Sequence, residues 1–412
     1  MDYTRFLNET SKNRVVSPIR AIMPLAAIPG MISLGAGNPN PSTYPYASLS
    51  ITLKTGEKID IDGKLLADAL QYGPTPGMPE LINWFRELQI IEHNPARKDF
   101  EISIGVGSQD LITKALEMCI EPGDNVLIET PTYAGILAHM RTLPCKLIDI
   151  ATDANGIIPS SLEHTLSAWP DTKTIPKILY TIPSGSNPSG SSAPLERKRE
   201  IYKLASMYNV LILEDDPYYY LQFVTPRIPS YFSFDVDGRV LRFDSISKIL
   251  SGGMRIGWVS GPKALLDRIN IHTSVTNLQP SGVPQVMVYG LLSHWGYEKF
   301  LAHVGNVAQF YKDKRDVFLR CAERRLKDVA EWTAPTAGMF VWIKLLGITD
   351  SNNLITTKAR EKKILALPGV LFLSNPLPTP YIRISYSNVT EEEMDEGLRR
   401  LAELVVEELS SN

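Results

Sequence analysis

A lysine and an arginine, separated by a glycine pair, stand in the stretch "FDSISKILSGGMRIGW", residues 243–258. Lys248 follows a strand-like apolar run, Ser245 and Ser247 precede it, and Arg255 lies seven residues further on. A lysine amine that burial and cationic neighbours keep deprotonated can form a Schiff base with an aldehyde. The arginine and the serine hydroxyls can bind a phosphate. The stretch therefore predicts a covalent anchor and a phosphate cup in one loop.

Four further side chains follow short apolar runs in the same way. Ser108 comes after "ISIGVG", Tyr133 after "NVLIETP", Asn187 after "KILYTIP", and Asp215 at the end of "VLILE". Runs that are apolar throughout are typical of parallel strands covered on both faces. In such sheets ligands bind beyond the carboxyl ends of the strands. We therefore expect these four side chains and Lys248 to lie at one edge of a sheet.

Each of these residues alone has an ordinary structural interpretation. The glycine turn of "GVGSQDL" opens a helix whose N–H groups suit a phosphate, but such turns are common. Asp215 could hold a protonated ring nitrogen or cap a helix, and "PSGSNPSG" around Asn187 could be a simple turn. Combined with Lys248, the set fits one aldehyde that carries both a phosphate and a ring nitrogen. That cofactor is pyridoxal 5′-phosphate (PLP).

Length and composition exclude several classes of protein. The chain has 412 residues and a net charge of −3, which predicts a globular enzyme of two domains without a basic surface for nucleic acid or membrane. No apolar run reaches the ~18 residues of a membrane span. Cys119, Cys145 and Cys321 lie far apart without a CxxC motif, which fits a reducing compartment. The N-terminus lacks a secretory signal, so we expect a cytoplasmic protein, with a mitochondrial location as the alternative.

The elements that position these residues change in character along the chain. Between about 75 and 265 helical patterns alternate with apolar strands, which predicts a doubly wound α/β core. After about 300 a long amphipathic helix precedes three strand-like runs, "WTAPTAGMFVWIKL", "GVLFLSN" and "PYIRISYS", and a last helix starts after Thr390. We predict an N-terminal arm at 1–45, a large PLP-binding domain at 46–300 and a small α+β domain at 301–412.

The whole order of motifs resembles the fold-type I PLP-dependent aminotransferases. "SISKILSGGMRIGW" is similar to their lysine signature, "NPSG" to their Asn-Pro-x-Gly turn and "DDPYY" to their strand end with aspartate and tyrosine. A late arginine, Arg383, follows in the expected order. "MISLGAGNPNP", "ALQYGPTPGMPELINWF" and "AGMFVWIK" resemble the kynurenine/2-aminoadipate aminotransferase group (kynurenine aminotransferase II), with which the fungal aromatic aminotransferases are grouped. The resemblance implies a large domain with a mostly parallel sheet and a smaller α+β domain.

The resemblance also implies a role for each matching residue at the cofactor ring. Lys248 would hold PLP as an aldimine and then move the substrate proton as general base and acid. Asp215 would keep the pyridine nitrogen protonated, Tyr133 would stack on the ring, and Asn187 and Tyr218 would reach its O3′ oxygen.

Phosphate, substrate and dimer contacts are implied in the same manner. Arg383 would pair with the substrate carboxylate, and Tyr72 would reach a phosphate across a homodimer interface, which makes the active sites composite. Arg20 and Gly37 resemble an arm that closes over the substrate. The phosphate ligands would be Ser108, the Gln109 N–H, Ser245 and Arg255, with Ser247 as a further candidate.

Three positions depart from the family pattern. Asn38 in "GAGNPNP" stands where an apolar residue is usual, near the expected substrate side chain, and could favour polar side chains. Ser186 and Ser189 stand where Asn and Thr are more usual. Because these two residues remain small and polar, we expect cofactor binding to be retained.

Three functions are compatible with this set of residues. The first is transamination from an aromatic or long-chain amino acid (kynurenine, 2-aminoadipate, phenylalanine or tyrosine) to a 2-oxo acid such as 2-oxoglutarate, by a ping-pong mechanism. The second is a PLP-dependent lyase or cyclase of a specialised biosynthetic pathway. The third is a PLP-sensing regulator, which would need an N-terminal winged-helix domain. The predicted arm at 1–45 is too short for that domain, so we expect an aminotransferase that binds neither nucleic acid nor metal.

Overall fold

The computed structural model describes residues 1–22, 25, 28–35 and 37–411. They form two compact units, one of Met1–Glu121 with Phe232–Ala302 and one of Pro122–Tyr231 with His303–Asn412. The predicted arm, large domain and small domain have other boundaries, and that division stays a prediction.

Helices and strands alternate along most of the described chain, as predicted. The helices are α1 (Glu9–Asn13), α2 (Pro18–Ile22), α3 (Gly63–Leu70), α4 (Pro79–His93), α5 (Ser108–Cys119), α6 (Ala134–Met140), α7 (Pro159–Ser167), α8 (Leu195–Met207), α9 (Lys263–Thr276), α10 (Gly282–Leu326, interrupted at Gly296), α11 (Ala359–Glu361) and α12 (Glu391–Ser411). The strands are β1 (Leu49–Thr52), β2 (Lys58–Ile61), β3 (Phe100–Val106), β4 (Asn125–Thr130), β5 (Lys146–Asp153), β6 (Gly156–Ile157), β7 (Ile178–Thr181), β8 (Leu211–Asp215), β9 (Val240–Ser245), β10 (Ile256–Pro262), β11 (Ala330–Trp332), β12 (Phe340–Leu345), β13 (Leu367–Pro368) and β14 (Tyr381–Ser385).

In the first unit, β10 lies between β3 and β9 and runs antiparallel to both. Its first residue, Ile256, pairs with Val106, the last residue of β3. The two outer strands therefore end where β10 begins. Ser108 and Lys248, which follow the outer strands, consequently lie at the same edge as Arg255, which precedes β10.

In the second unit, β8, β7, β4 and β5 lie side by side in that order and are parallel. The strands β7 and β8 are buried along their whole length, because helices α6, α7 and α8 alternate with the strands in the chain. The predicted mostly parallel α/β sheet is confirmed here. Tyr133 and Asn187 follow β4 and β7, and Asp215 ends β8, so all three lie at the carboxyl edge.

The C-terminal part of the second unit is built differently. Strands β11, β12, β14 and β13 form an antiparallel sheet in that order, in which Trp342 of β12 pairs with Arg383 of β14. Helix α12 begins as predicted, because the Thr390 hydroxyl accepts the N–H of Glu393 (3.2 Å) and the Glu393 carboxylate accepts the N–H of Thr390 (2.8 Å).

The run "GVLFLSN" was predicted as a strand, and this prediction is wrong. Gly369–Phe372 form a 3₁₀ turn, and only Leu367–Pro368 before it pair as a strand. A Cβ on Gly369 would lie 2.6 Å from the carbonyl oxygen of Tyr381, so the chain passes too close to its neighbour for a side chain. Phe372 is nonetheless buried, and a short apolar run does not distinguish a strand from a buried turn.

Candidate active site

The turn between β3 and α5 brings a glycine against an arginine side chain. Gly107 has φ +82°, in the left-handed region that favours glycine. A Cβ at this position would lie 3.0 Å from the Cζ atom of Arg255, so a side chain here would displace the guanidinium. Ser108 begins α5, and the first N–H groups of a helix lack carbonyl partners within it. Backbone donors and a guanidinium thus meet at this turn.

Backbone carbonyls hold Arg255 in place. Its Nη2 donates to the carbonyl of Val106 (3.1 Å) and its Nη1 to the carbonyl of Gly252 (3.2 Å), with Ser247 Oγ at 3.5 Å. Because a carbonyl does not neutralise a cation, the charge of this exposed guanidinium remains available to an anion. We call this group the Arg255 cluster: Val106, Gly107, Ser108, Ser247, Gly252 and Arg255.

The other predicted residues of this edge lie near the ends of the same elements. Ser245 ends β9, and its Oγ accepts the N–H of Ser247 at 3.1 Å. Lys248 is half-buried in the turn that follows β9, and Gln109 is the second residue of α5. The predicted anchor lysine and the predicted phosphate ligands of the first unit therefore share one sheet edge.

In the second unit, Arg383 lies close to two phenyl rings. Its Cζ is 4.3 Å from the ring centre of Phe340 and 5.1 Å from that of Phe372. Its Nη1 donates to Oδ1 of Asn187 at 2.9 Å. Burial lowers the pKa of the guanidinium, and Tyr218 and Tyr133 oppose this shift. We call Asn187, Tyr218, Phe340, Phe372 and Arg383 the Arg383 cluster.

One donor of this guanidinium indicates that the cluster fits a ligand. Arg383 Nε is buried and has no hydrogen-bond partner among the described residues. Buried polar atoms are nearly always paired in folded proteins, so this donor is open to a bound group. A planar anion such as a carboxylate matches the arginine fork.

Asp215 is held by a tyrosine that the sequence analysis did not identify. The Tyr180 hydroxyl donates to Oδ2 of Asp215 at 2.6 Å, and both residues are buried. Burial, and next the Asp215 charge, raise the pKa of the Tyr180 phenol well above its usual value, so this phenol remains a donor. The same two causes raise the pKa of Tyr218. A tyrosine within "KILYTIP" gives no sequence signal, because aromatic residues are ordinary in buried strands.

Tyr133 precedes α6 and is half-buried. A Cβ on Gly135 would lie 2.7 Å from Cε1 of the Tyr133 ring, so the ring packs directly over this glycine. The absence of a side chain at Gly135 thus leaves room for the tyrosine ring.

The remaining predicted residues of the first unit lie outside the Arg255 cluster. Tyr72 follows α3 and has 56% of its surface exposed. Arg20 Nη1 donates to the carbonyl of Gly73 at 3.0 Å, and its Nη2 lies 3.5 Å from Oε1 of Gln279. Gly37 and Asn38 are exposed.

A buried acid, Glu129, was also not identified from the sequence. Its Oε1 accepts the N–H of Ile182 at 3.2 Å and the Thr181 hydroxyl, and its Oε2 accepts the Ser186 hydroxyl at 3.3 Å. Burial raises its pKa to about 7. The signal was present, because Glu129 is an acid near the end of an apolar strand, as Asp215 is.

Comparison with known proteins identifies the class of this protein. The family model "Aminotransferase class I and II" matches residues 31–401, and the chain belongs to that family. It is an aminotransferase whose cofactor is PLP.

Three relatives show how far the similarity extends. The chain is 45% identical to the mitochondrial kynurenine/alpha-aminoadipate aminotransferase of Rattus norvegicus, over 98% of this chain and 99% of that protein. It is 45% identical to the aminotransferase tdiD of Emericella nidulans, over 94% and 92%. The crystal structure of the aromatic aminotransferase Aro9 from Candida albicans superposes with a TM-score of 0.91 at 26% identity, over 100% of this chain and 99% of that one.

These findings confirm the predicted fold type, cofactor and reaction class. Transamination uses amino acids and 2-oxo acids as substrates, and the lyase and regulator alternatives are not favoured. In the part of the chain that the structure describes, no helix has the length and apolar character needed to cross a membrane.

Proposed function

We propose that this aminotransferase takes its amino group from an aromatic or long-chain amino acid and gives it to a 2-oxo acid such as 2-oxoglutarate in a ping-pong sequence. Candidate donors are kynurenine, 2-aminoadipate, phenylalanine and tyrosine. The names of the rat and Candida relatives support this range. The observation that carries the proposal is the Arg383 cluster, a cation close to two phenyl rings with a buried donor that has no partner among the described residues.

Arg383 would bind the α-carboxylate of both substrates. Asn187 accepts a hydrogen bond from Nη1 of Arg383 and thereby orients the guanidinium plane. The two phenyl rings displace water, and a charge pair is stronger where water is excluded. Since the α-carboxylate is common to amino acid and 2-oxo acid, one arginine can serve both halves of the reaction.

PLP, when bound, withdraws electrons from the substrate Cα through its protonated ring. Asp215 would keep the ring nitrogen protonated, and the bond from Tyr180 holds its carboxylate in one orientation. Tyr133 would stack on the ring. Asn187 and Tyr218 would donate to the O3′ oxygen, for which the raised pKa of Tyr218 keeps its proton in place.

Lys248 would attach the cofactor covalently and act as the proton carrier. Its amine would take the proton from the substrate Cα and return one to the product.

The Arg255 cluster would hold the cofactor phosphate. The helix N-terminus at Ser108 and Gln109 offers N–H donors, and the Arg255 charge is bound only by neutral oxygens among its described hydrogen bonds. Ser245 would contribute a hydroxyl, with Ser247 as a further ligand.

We propose a homodimer with composite active sites. Tyr72 is more than half exposed, and so are several apolar residues of the arm: Val15, Ile19, Ile22, Ile32 and Leu34. A second copy that covers this surface would remove it from water and bring Tyr72 to the partner's phosphate. Sedimentation of the purified protein at micromolar concentration as a monomer would overturn this part.

Arg20, Gly37 and Asn38 would meet the substrate side chain. Asn38 is exposed and polar, which supports a preference for donors with a polar end. If Asn38→Leu leaves the ratio of kcat/KM values for 2-aminoadipate and phenylalanine unchanged, this assignment is wrong. The cytoplasmic location stays a prediction, which cell fractionation can check.

Absorbance of the bound cofactor tests the main proposal. The visible band should bleach when a donor amino acid is added and recover with 2-oxoglutarate. Lys248→Ala should abolish turnover, whereas Lys263→Ala removes an exposed lysine paired with Asp267 and should leave turnover unchanged. A wild-type protein that binds PLP but is not bleached by any of the four donors would contradict the proposed donor range.

A further inference from the structure

The acid Glu129 is fully enclosed at the carboxyl end of β4 and has no place in the roles described so far. It has 3% of its surface exposed. Its carboxyl group binds two elements at once, Thr181 and Ile182 at the end of β7 and Ser186 in the turn beyond. A buried carboxyl with three donors is a cross-link between these elements.

Strand register separates Glu129 from the face that carries Asp215. Ile128 pairs with Tyr180, and Tyr180 with Leu213, so these side chains share one face with Asp215. Because side chains alternate along a strand, Glu129 lies on the other face, at the same position along the sheet as Thr181. It therefore supports the sheet edge from behind.

The turn that Glu129 binds is the one that presents Asn187. Ser186 is the residue before Asn187, and its N–H and carbonyl are also bound, to the carbonyl of Ser191 (2.9 Å) and the N–H of Gly190 (2.7 Å). Asn187 in turn accepts a hydrogen bond from Arg383. A continuous path of hydrogen bonds and one covalent step thus joins Glu129 to the substrate arginine.

We propose that Glu129 is a positioning residue that fixes the Asn187 turn through Ser186 and thereby sets the orientation of Arg383 for the substrate carboxylate. The inference rests on the proposed role of Arg383. It assigns a function to Ser186, where the family more often has asparagine. The Ser186 hydroxyl donates to Glu129, while the amide oxygen of the next residue, Asn187, accepts from Arg383.

Burial raises the pKa of Glu129 and so favours its neutral form, although its three hydrogen bonds oppose this shift. The negative charge of Asp215 also raises the pKa of Glu129. A charge on Glu129 would in turn raise the pKa of the Tyr180 and Tyr231 phenols. Tyr231 also faces Glu214 on β8 and Arg197 on α8. A protonated carboxyl has the same shape as a glutamine amide. Glu129→Gln should therefore preserve the cross-link, whereas Glu129→Ala removes it.

The test measures binding of an unreactive substrate to the PLP-loaded enzyme, separately from turnover. An α-methylated form of the best donor keeps the carboxylate but has no Cα proton to lose. Glu129→Ala should weaken its binding roughly tenfold and Ser186→Ala roughly threefold, because a displaced Asn187 no longer orients the guanidinium. Glu129→Gln should stay within about twofold of wild type. Affinity for PLP itself should fall less than affinity for this analogue, because Lys248 and the Arg255 cluster would still hold the cofactor.

Two controls separate the possible failures. Glu214 is equally buried but accepts the N–H of Tyr231, so Glu214→Ala should lower stability without changing substrate binding. Arg383→Ala should weaken binding more than any Glu129 variant. Normal binding by Arg383→Ala overturns the proposed function, whereas normal binding by both Glu129→Ala and Ser186→Ala overturns only the positioning role. If Glu129→Ala does not fold, Ser186→Ala decides alone.

Discussion

Two arginines of this enzyme lie in contrasting environments. Arg255 is exposed, has a left-handed backbone (φ +51°) and is held by the carbonyls of Val106 and Gly252. Arg383 is partly buried, lies in a regular strand and is held by Asn187 and two phenyl rings. We propose that the first binds a phosphate and the second a carboxylate.

The difference teaches how each site obtains its specificity. Backbone carbonyls and a helix N-terminus fix the Arg255 cluster, so its geometry depends on a glycine turn more than on particular side chains. The Arg383 cluster depends on side chains from several strands and turns. A mutation should therefore act locally in the first cluster and spread through hydrogen bonds in the second.

Asp215→Asn should have the largest effect, because it removes the charge that we propose keeps the ring nitrogen protonated. We expect kcat/KM to fall roughly 10²- to 10³-fold, with PLP still bound. Asp216→Asn is the matched control, since Asp216 is equally buried and accepts a bond from Ser184 at 3.3 Å. Equal losses in the two variants would show that burial alone, and not contact with the ring, explains the effect. Steady-state kinetics with the best donor provides the measurement.

Burial of Glu129 should make stability fall as pH rises. Its pKa is raised from 4.5 to about 7, so between these values the carboxyl is protonated only in the folded state. The folded state then binds more protons, and the free energy of unfolding decreases by about 3 kcal/mol over this window and stays low above it. An exposed carboxylate would show no such decrease.

A profile of wild-type stability against pH would also contain a contribution from His272. The experiment therefore has to separate the two residues. Burial lowers the pKa of His272 to about 4, so the unfolded state binds the extra proton between pH 4 and about 6.5 and stability rises with pH there. The two shifts oppose each other. Denaturant unfolding of Glu129→Gln and wild type, both saturated with PLP, removes the histidine contribution from the difference. A difference that does not change between pH 4.5 and 7.5 would contradict the raised pKa.

The sequence allowed the sheet edge to be predicted because parallel strands leave a clear signal. Buried runs such as "VLILEDD" are apolar throughout, and the polar residue after each run is conspicuous. Ser108 and Lys248 were placed at one edge on this basis, and the structure of the first unit agrees.

Side-chain partners could not be predicted in the same way. Tyr180 is one more aromatic residue in a strand, and its bond to Asp215 depends on the register of β7 with β8. Glu129 is bound by a turn that lies more than 50 residues away in the chain. Phe372, which covers Arg383, belongs to the run wrongly predicted as a strand. Such contacts are set by tertiary packing, for which local patterns carry no information.

The same substitution in both arginines tests the comparison most directly. A lysine keeps the charge but loses the planar fork. Arg383→Lys should weaken binding of the donor roughly 10- to 100-fold, because a charge-assisted pair in a water-poor site depends on geometry. Arg255→Lys should weaken PLP binding only several-fold, since the helix N-terminus and hydroxyls remain.

Salt should separate the two clusters further. Exposed charges are screened within about 8 Å at physiological ionic strength, whereas buried pairs are screened much less. Raising the salt concentration should therefore reduce the PLP affinity of wild type and of Arg255→Lys to a similar extent, because both side chains carry the charge. Donor binding at Arg383 should respond weakly to salt in both proteins. If instead donor binding falls with salt as steeply as PLP binding, Arg383 is as accessible to water as Arg255, and the distinction between the two clusters would not hold in solution.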